Sequence, residues 1–245
     1  MRTTGNTIFM TGGTSGIGLE LARRFRDLGN TVIISGRRQD LLDKIAEDGI
    51  EGISLDVADP DSIAAAFAQV TSNHDVNVLV TMAGIMQPED LRDPGHLPTA
   101  EQTIEINLLG TIRAVATFTP YLLKQSDPVI LTVSSGLASV PLSITPTYSA
   151  TKAAIHSYTQ SLRIQLADTG IQVIEVVPPA VRTTLMNQEN DERSMPLDQY
   201  LDETMALLQQ QPDADEILVD RVRILRDAER ENRYDQVMGL LNSVG

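Results

Sequence analysis

The chain has 245 residues, a formal net charge of −14, 42% hydrophobic residues and no cysteine. This length and composition fit a globule of one large or two small domains rather than a disordered or fibrous chain. The negative charge argues against a surface that binds nucleic acid or an anionic membrane. The lack of cysteine excludes disulfides, thiolate zinc sites and thiol catalysis. No apolar run is long enough to span a bilayer and the N-terminus lacks the layout of a signal peptide, so a cytoplasmic protein is expected.

A glycine-rich turn follows the first apolar run of the chain. The run Ile8–Met10 predicts a strand, and the amphipathic segment 17–28 predicts a helix. Gly12, Gly16 and Gly18 therefore fall at a strand–helix junction. A turn without side chains lets backbone approach a pyrophosphate, and the helix N-terminus offers free N–H groups and a partial positive charge. Three glycines in a surface turn are common, but this position predicts a dinucleotide site.

Two arginines follow the second predicted strand, Thr31–Ser35. In dinucleotide folds an acidic residue near this point bonds the ribose 2′-hydroxyl and selects NAD. Here no acid stands before Asp40, and Arg37 and Arg38 offer two guanidiniums that suit a 2′-phosphate. Two exposed arginines at the start of a helix would give the same pattern, but after a phosphate loop they favour NADP.

Two further strand ends suit a cofactor. Asp56 follows the third strand, where it either accepts from an adenine amino group or serves as a turn residue before the next helix. Asp59 and Pro60 are a good N-cap and a good first residue for that helix. Ala83 and Gly84 follow the fourth strand, where small residues let a cofactor approach the backbone.

Strands and helices alternate through most of the chain. The apolar runs predict six strands, at 7–10, 31–35, 52–55, 76–82, 129–134 and 171–177. The alternation specifies an α/β single-domain Rossmann fold, a doubly wound parallel sheet with helices on both faces. Residues 1–181 form its core, and 182–245 form a cover over the site followed by helices at 197–210, 213–231 and 234–242. No seventh strand is evident, although the pattern would miss a short one.

The predicted helix 99–125 is apolar on more than one face and must be covered on two sides. Asn107 lies inside it, and a buried amide needs partners, so Asn107 is either a satisfied core group or part of a site. The helix at 147–166 carries small residues beside its core positions. Uncovered surfaces of this size are usually interfaces, so at least a homodimer is expected.

Tyr148 and Lys152 are four residues apart on a predicted helix and share one face. A phenol is a poor acid–base catalyst at neutral pH, but a nearby ammonium group and a cationic nicotinamide would lower its pKa. Five tyrosines and three lysines in 245 residues give only about 0.06 such pairs by chance. Ser135 follows the fifth strand, at the sheet edge where sites form in open α/β folds.

Together these motifs resemble the short-chain dehydrogenase/reductase family, over residues 6 to about 183. The family's T-G-x-x-x-G-x-G loop matches Thr11–Gly18, and its P-G-x-V-x-T segment matches Pro178–Thr183. The catalytic residues that the resemblance implies are Asn107, Ser135, Tyr148 and Lys152. The cofactor-binding residues that it implies are Gly12, Thr14, Ser15, Gly16, Ile17, Gly18, Arg37, Arg38, Asp56, Val57, Ala83, Gly84, Tyr148, Lys152, Pro178, Val181 and Thr183.

The resemblance implies an NADP-dependent oxidoreductase that interconverts a carbonyl and a secondary alcohol. Tyr148 would exchange the proton and Ser135 would bond the substrate oxygen. Lys152 would hold the nicotinamide ribose and tune the tyrosine, while Asn107 would order a water in the proton relay. The resemblance also implies that helices 99–125 and 147–166 pair across a two-fold axis.

Two alternatives belong to other classes. A sensor or scaffold that binds the cofactor without turnover is disfavoured because all four catalytic positions are intact. An extended nucleotide-sugar epimerase is disfavoured because the chain is too short for a full substrate domain.

The chain departs from the family pattern at three places. The family's N-N-A-G is Thr81-Met82-Ala83-Gly84 here, and Pro179 replaces a glycine. The C-terminal helices are expected to replace the family's last strand, and this tail resembles that of the DltE-like subgroup of bacterial oxidoreductases. No residue pattern identifies the substrate.

Overall fold

The computed structural model describes residues 1–243, in which seven strands form one fully parallel sheet. The strands are β1 Thr7–Thr11, β2 Thr31–Gly36, β3 Glu51–Ser54, β4 Val78–Thr81, β5 Val129–Val133, β6 Gln172–Val176 and β7 Glu216–Ile217. Their order is β3-β2-β1-β4-β5-β6-β7. The order reverses between β1 and β4, and ligands bind sheets of this kind at the carboxyl ends beside that reversal. The predicted doubly wound Rossmann fold is confirmed.

Helices cover both faces of the sheet. Within the described range they are α1 Gly16–Asp27, α2 Gln39–Ala46, α3 Pro60–Asn73, α4 Leu97–Thr103, α5 Gly110–Leu122, α6 Pro146–Gln165, α7 Leu197–Gln210, α8 Asp220–Arg226 and α9 Tyr234–Asn242. One buried cluster joins the strands to α1 and α7 through Phe25 and Leu201. On the other face Phe9 of β1 stacks on Phe118 of α5, with ring centroids 5.1 Å apart. Among residues 1–243 no helix combines the length and apolar character that a membrane span requires.

The seventh strand corrects the prediction that helices replace it. Glu216 and Ile217 pair in parallel with Glu175 and Val176 of β6, inside the segment 213–231 predicted as one helix. The strand is two residues long, and an apolar run so short fits a helix or a strand equally well. Helix α8 begins only at Asp220, so β7 determines where the C-terminal helices cross the end of the sheet.

The predicted helix 99–125 is also interrupted. A π-helical turn, Ile104–Leu109, separates α4 from α5, and Asn107 lies in it. Such turns hold an inserted residue, which the spacing of apolar side chains does not reveal, and they often occur at functional sites. Helix α5 then begins at Gly110, where a Cβ atom would lie 2.9 Å from the Cβ of Val57.

The segment 182–197 is irregular, as predicted, but its two ends are tied together. Val181 pairs with Met195 in an isolated parallel bridge. The Arg182 guanidinium donates to the carbonyl oxygens of Asp191 and Ser194, at 3.1 and 3.2 Å. The segment is therefore a closed loop with an anchored base.

Candidate active site

A cavity of about 500 Å³ opens over the carboxyl ends of the central strands. The predicted cofactor residues that line it are Gly12, Thr14, Ser15, Gly16, Ile17, Gly18, Arg37, Arg38, Asp56, Val57, Ala83, Gly84 and Thr183. The fold thus brings together residues that are distant in the sequence, such as Gly12 and Thr183, which are 171 positions apart.

The glycine turn has the shape that a pyrophosphate requires. Gly12 has φ +82°, and a Cβ atom there would lie 3.1 Å from the Cα of Ala83. A Cβ atom on Gly18 would lie 2.9 Å from the Cα of Gly13. The Ser15 side chain caps no N–H group of α1, so the donors at this helix N-terminus remain available to an anion. These residues fit a dinucleotide.

Two positively charged side chains follow β2, and Gly36, the residue before them, is closely packed. A Cβ atom on Gly36 would lie 2.6 Å from the Cγ2 of Thr14, so a larger residue at that position would require the Thr14 side chain to move. Arg37 and Arg38 are exposed, and within residues 1–243 neither pairs with a carboxylate. Arg38 Nη2 donates to Thr14 Oγ1 at 3.3 Å. The rim of the cavity can therefore receive a phosphate.

Asp56 serves as a turn residue and also lines the cavity. Its Oδ1 accepts from the Ala58 N–H at 3.0 Å. The two alternatives that the sequence left open are thus compatible, because a carboxylate accepts several hydrogen bonds.

A second cavity of about 190 Å³ adjoins the first and shares Ile17, Met82, Gly84, Thr183 and Leu185 with it. The predicted site residues that line it in addition to Ile17, Gly84 and Thr183 are Ser135, Tyr148, Lys152, Pro178 and Val181. The turn after β5 and the first two turns of α6 therefore bring the predicted serine, tyrosine and lysine together in this second cavity, beside the first.

Burial shifts the pKa values of the tyrosine and the lysine in opposite directions. Burial raises the pKa of Tyr148 to about 12, against an opposing effect of the neighbouring Ser135 hydroxyl. Burial lowers the pKa of Lys152 to about 8, and the charge of Glu175 acts upward. Lys152 Nζ donates to the Val133 carbonyl oxygen at 2.8 Å. Among the chain's own groups burial thus has the largest effect on the pKa of Tyr148, and the expected lowering by the ammonium group together with a cationic nicotinamide stays a prediction.

Asn107 is fully buried, and its side chain lies behind the site rather than in it. Its Oδ1 accepts from the Ile85 N–H at 2.8 Å, and its Nδ2 donates to the Ile85 carbonyl oxygen at 2.9 Å. The second Nδ2 proton points to Thr151 Oγ1, 3.3 Å away. Asn107 lines neither cavity and holds the backbone after Gly84 against α6.

The family model described as short chain dehydrogenase matches residues 6–194. The chain belongs to the short-chain dehydrogenase/reductase family. The oxidoreductase DltE of Bacillus subtilis is 38% identical to it over 252 aligned positions, which cover 99% of each chain. This relationship confirms the resemblance to the DltE-like subgroup.

Solved structures of this family share the fold. A short chain dehydrogenase from Burkholderia cenocepacia in complex with NADP has a TM-score of 0.82 and 24% identity, covering 97% of this chain and 99% of that one. A 3-ketoacyl-(acyl-carrier-protein) reductase from Brucella melitensis complexed with NADH has a TM-score of 0.74 and 24% identity, covering 84% and 91%. The two hold different nicotinamide cofactors, so the shared fold does not decide between them.

Local packing surrounds Met82 and the segment before Pro179, whereas the buried Oγ1 of Thr81 has no hydrogen-bond partner among the described residues. Thr11 Oγ1 accepts from the backbone N–H groups of Met82 and Ala83, at 3.2 and 3.5 Å. The Sδ of Met82 lies 2.9 Å from the position that a Cβ atom on Gly18 would occupy, so the thioether packs against the glycine turn. The Gly136 N–H donates to the Pro178 carbonyl oxygen at 2.9 Å, which ties the segment before Pro179 to the turn after Ser135.

Several apolar residues of the second cavity were not among the predicted site residues. They include Met86, Leu137, Leu142, Leu185, Leu225 and Leu241. Leu225 belongs to α8, which packs so closely that a Cβ on Gly136 would lie 2.8 Å from the Leu225 Cδ1. Leu241 belongs to α9. Helices α8 and α9 come after β7, the short strand that the pattern missed, and no local spacing in the sequence predicts these contacts.

Proposed function

We propose that the protein is an NADP-dependent oxidoreductase that interconverts a carbonyl compound and a secondary alcohol. The observation that supports this most strongly is that Ser135, Tyr148 and Lys152 line a small cavity continuous with the glycine-turn cavity. The bound cofactor supplies or accepts a hydride. The chain itself supplies the proton, the orientation of the carbonyl and the exclusion of water.

Tyr148 and Ser135 act on the substrate oxygen. The phenol of Tyr148 is protonated at neutral pH, and we assign it the donation of that proton as charge develops on the carbonyl oxygen. Ser135 Oγ accepts from the Leu137 N–H at 3.1 Å, which directs its own proton away from that main-chain group and leaves it to the substrate oxygen.

Lys152 and Asn107 have roles that do not involve the substrate oxygen. Lys152, fixed by the Val133 carbonyl oxygen, holds the nicotinamide ribose. All polar atoms of the Asn107 side chain are engaged by Ile85 and Thr151, so we assign it the positioning of the Gly84–Ile85 backbone rather than a water contact through its amide.

NADP is favoured over NAD by the end of β2. Arg37 and Arg38 are exposed at the rim and can bind a 2′-phosphate, while Gly36 before them offers no carboxylate to a 2′-hydroxyl. We assign to Asp56, which lines the same cavity, the acceptance of a hydrogen bond from the adenine amino group.

The second cavity favours a neutral, apolar substrate. Its lining is mostly aliphatic side chains and prolines, and among the described residues that line it Lys152 is the one charged group. A carboxylate or phosphate on the substrate would lose its hydration and find no cation other than Lys152, which we assign to the nicotinamide ribose, so its burial is costly. A carbonyl flanked by alkyl groups would bury apolar surface instead.

A panel of carbonyl compounds and alcohols, followed by the absorbance of the reduced nicotinamide with NADPH and with NADH, tests the proposal. The panel pairs neutral ketones with keto acids of the same chain length. Turnover with NADPH and a higher kcat/KM for the neutral member of each pair are expected. Tight NADPH binding without turnover of any member would instead favour the sensor alternative.

A further inference from the structure

The carboxyl group of Glu89 binds the first turn of α6. Its Oε1 accepts from the Thr147 N–H at 3.1 Å, and its Oε2 accepts from the Thr147 hydroxyl at 2.7 Å. The Glu89 N–H also donates to the Ile144 carbonyl oxygen at 2.9 Å. Three hydrogen bonds therefore join the loop between β4 and α4 to the residues that immediately precede Tyr148.

Helix α6 receives no cap from its own N-cap residue. The first helical residue, Pro146, has no N–H, so Thr147 carries the first N–H that needs a partner from outside the helix. Thr145 occupies the N-cap position, but its side chain makes no capping hydrogen bond. Its buried hydroxyl has no partner among the described residues. Glu89, from a distant loop, thus supplies the cap that a local Ser, Thr, Asn or Asp usually provides.

The segment that carries Glu89 is also fixed at its other end. The Asn107 side chain bonds both the N–H and the carbonyl oxygen of Ile85, at 2.8 and 2.9 Å. Between these two anchors lies Met86, which lines the second cavity. A cap on a free segment would move with the helix end, whereas a cap on a segment anchored in this way holds the helix end in place.

We infer that Glu89 is a positioning residue for Tyr148. Tyr148 follows Thr147 directly and is the third residue of α6, so its ring is attached to the turn that Glu89 holds. Helix ends open most easily where their N–H groups lack partners. The Glu89 bonds keep this turn formed and the phenol beside Ser135 in the second cavity. The effect on turnover rests on the proposed function, but the effect on the position of the ring does not.

A matched pair of variants separates hydrogen bonding from shape. In Glu89→Gln the amide oxygen can accept from the Thr147 N–H and the amide nitrogen can donate to the Thr147 hydroxyl, so both contacts remain available. Glu89→Met keeps a side chain of similar length but removes the carboxyl oxygens. Asp93→Leu is the control, because Asp93 accepts from the Gly95 N–H at 2.9 Å and so caps a turn within its own loop.

Two measurements need neither cofactor nor substrate. Amide hydrogen exchange at Thr147 should be about two- to thirtyfold faster in Glu89→Met than in the wild type, the usual effect of a lost cap, and nearly unchanged in Glu89→Gln. The chain has five tyrosines, and Tyr148→Phe assigns the ring signals of Tyr148 in the NMR spectrum of tyrosine-labelled protein. These signals should shift in Glu89→Met and keep their positions in Glu89→Gln and Asp93→Leu.

Turnover gives the readout that depends on the proposed function. With a ketone that the wild type reduces, kcat of Glu89→Met should fall by about ten- to a hundredfold, as expected for a displaced catalytic group. The Kd of NADPH should change little, because Lys152 lies in the second turn of α6. Glu89→Gln should restore kcat. A contact that only stabilised the loop would lower the stability of Glu89→Met without this selective loss of kcat.

Unchanged exchange at Thr147 or unchanged Tyr148 signals in Glu89→Met would overturn the inference, and so would a kcat of Glu89→Gln as low as that of Glu89→Met. If the signals shift as expected but no compound is turned over, the proposed function fails and the positioning of Tyr148 stands. Should Glu89→Met not fold, Thr147→Val removes the hydroxyl bond alone. The Tyr148 signals should then shift in the same direction by less, and unchanged signals would contradict the inference.

Discussion

Lys152 Nζ lies 5.5 Å from the centre of the Tyr148 ring and is bonded to the main chain of β5 rather than to the phenol. The two side chains are neighbours on one face of α6, and both are buried. Burial disfavours the charged form of each, so the phenol keeps its proton and the ammonium loses it more readily. Near neutral pH the lysine is therefore the member of the pair that changes its charge.

NADPH binding should consequently depend on pH through Lys152. The pKa of this residue is lowered to about 8, so its charge is present below that pH and is lost above it. Between about pH 7 and pH 9 the Kd of NADPH should rise by up to about tenfold, and kcat/KM for reduction should fall with it. Fluorescence titration over this range measures the first quantity.

Lys152→Ala provides the control for this pH dependence. The variant should bind NADPH more weakly than the wild type, with a Kd that no longer changes over the same range. A pH-independent Kd in the wild-type protein would show that another group holds the ribose.

Cofactor selection should reside in Arg37 and Arg38. Each charge-assisted bond to the 2′-phosphate contributes about 1.5–3 kcal/mol, so the double Arg→Ser variant should lose NADPH affinity by at least about a hundredfold. NADH lacks that phosphate, and its Kd should change little. Arg230→Ser, which removes a guanidinium exposed elsewhere on the surface, is the control. Tighter binding of NADH than of NADPH by the wild type would refute the assignment.

The sequence revealed those parts of the site that depend on local spacing. The turn at Gly12–Gly18 follows one strand and opens one helix, and Tyr148 and Lys152 share a face because a helix repeats every 3.6 residues. The contacts of Leu225 and Leu241 lie instead on helices after β7. That strand has two residues, which are too few to show a periodic pattern of apolar side chains. The pKa of Tyr148 is raised by burial among groups distant in sequence. The spacing of residues within α6 does not predict that burial.

The glycine turn should tolerate no added methyl group at Gly18. Gly18→Ala would place a Cβ 2.9 Å from both the Gly13 Cα and the Met82 Sδ, so we expect a loss of about 1–3 kcal/mol in stability and weaker NADPH binding. Gly239→Ala is the matched control, because a Cβ there meets nothing within 4 Å in the middle of α9. It should stabilise the protein by about 0.5–1 kcal/mol. Denaturant unfolding compares the two, and equal effects would contradict the packing described for Gly18.

Helix α6 should also form part of a subunit interface. Its exposed face carries Ala153, Ser157 and Ile164, the last with 78% of its surface accessible, on the side away from the Tyr148–Lys152 face. We propose that this face and α5 pair across a two-fold axis in a homodimer. Light scattering at micromolar concentration should give at least a dimer mass, and Ser157→Arg should reduce it. A monomer mass for the wild type would refute this.

The most direct test of the proposed chemistry is the turnover of Tyr148→Phe. The variant keeps the ring and its packing but removes the proton donor, so kcat should fall by about 10²–10⁴-fold while NADPH still binds. Tyr158→Phe removes a phenol from the same helix at a position that packs against the core and lines neither cavity, and it should retain wild-type kcat. With a neutral ketone that the wild type reduces, loss of turnover in Tyr148→Phe alone is the predicted result. A Tyr148→Phe protein with near wild-type kcat would contradict the account.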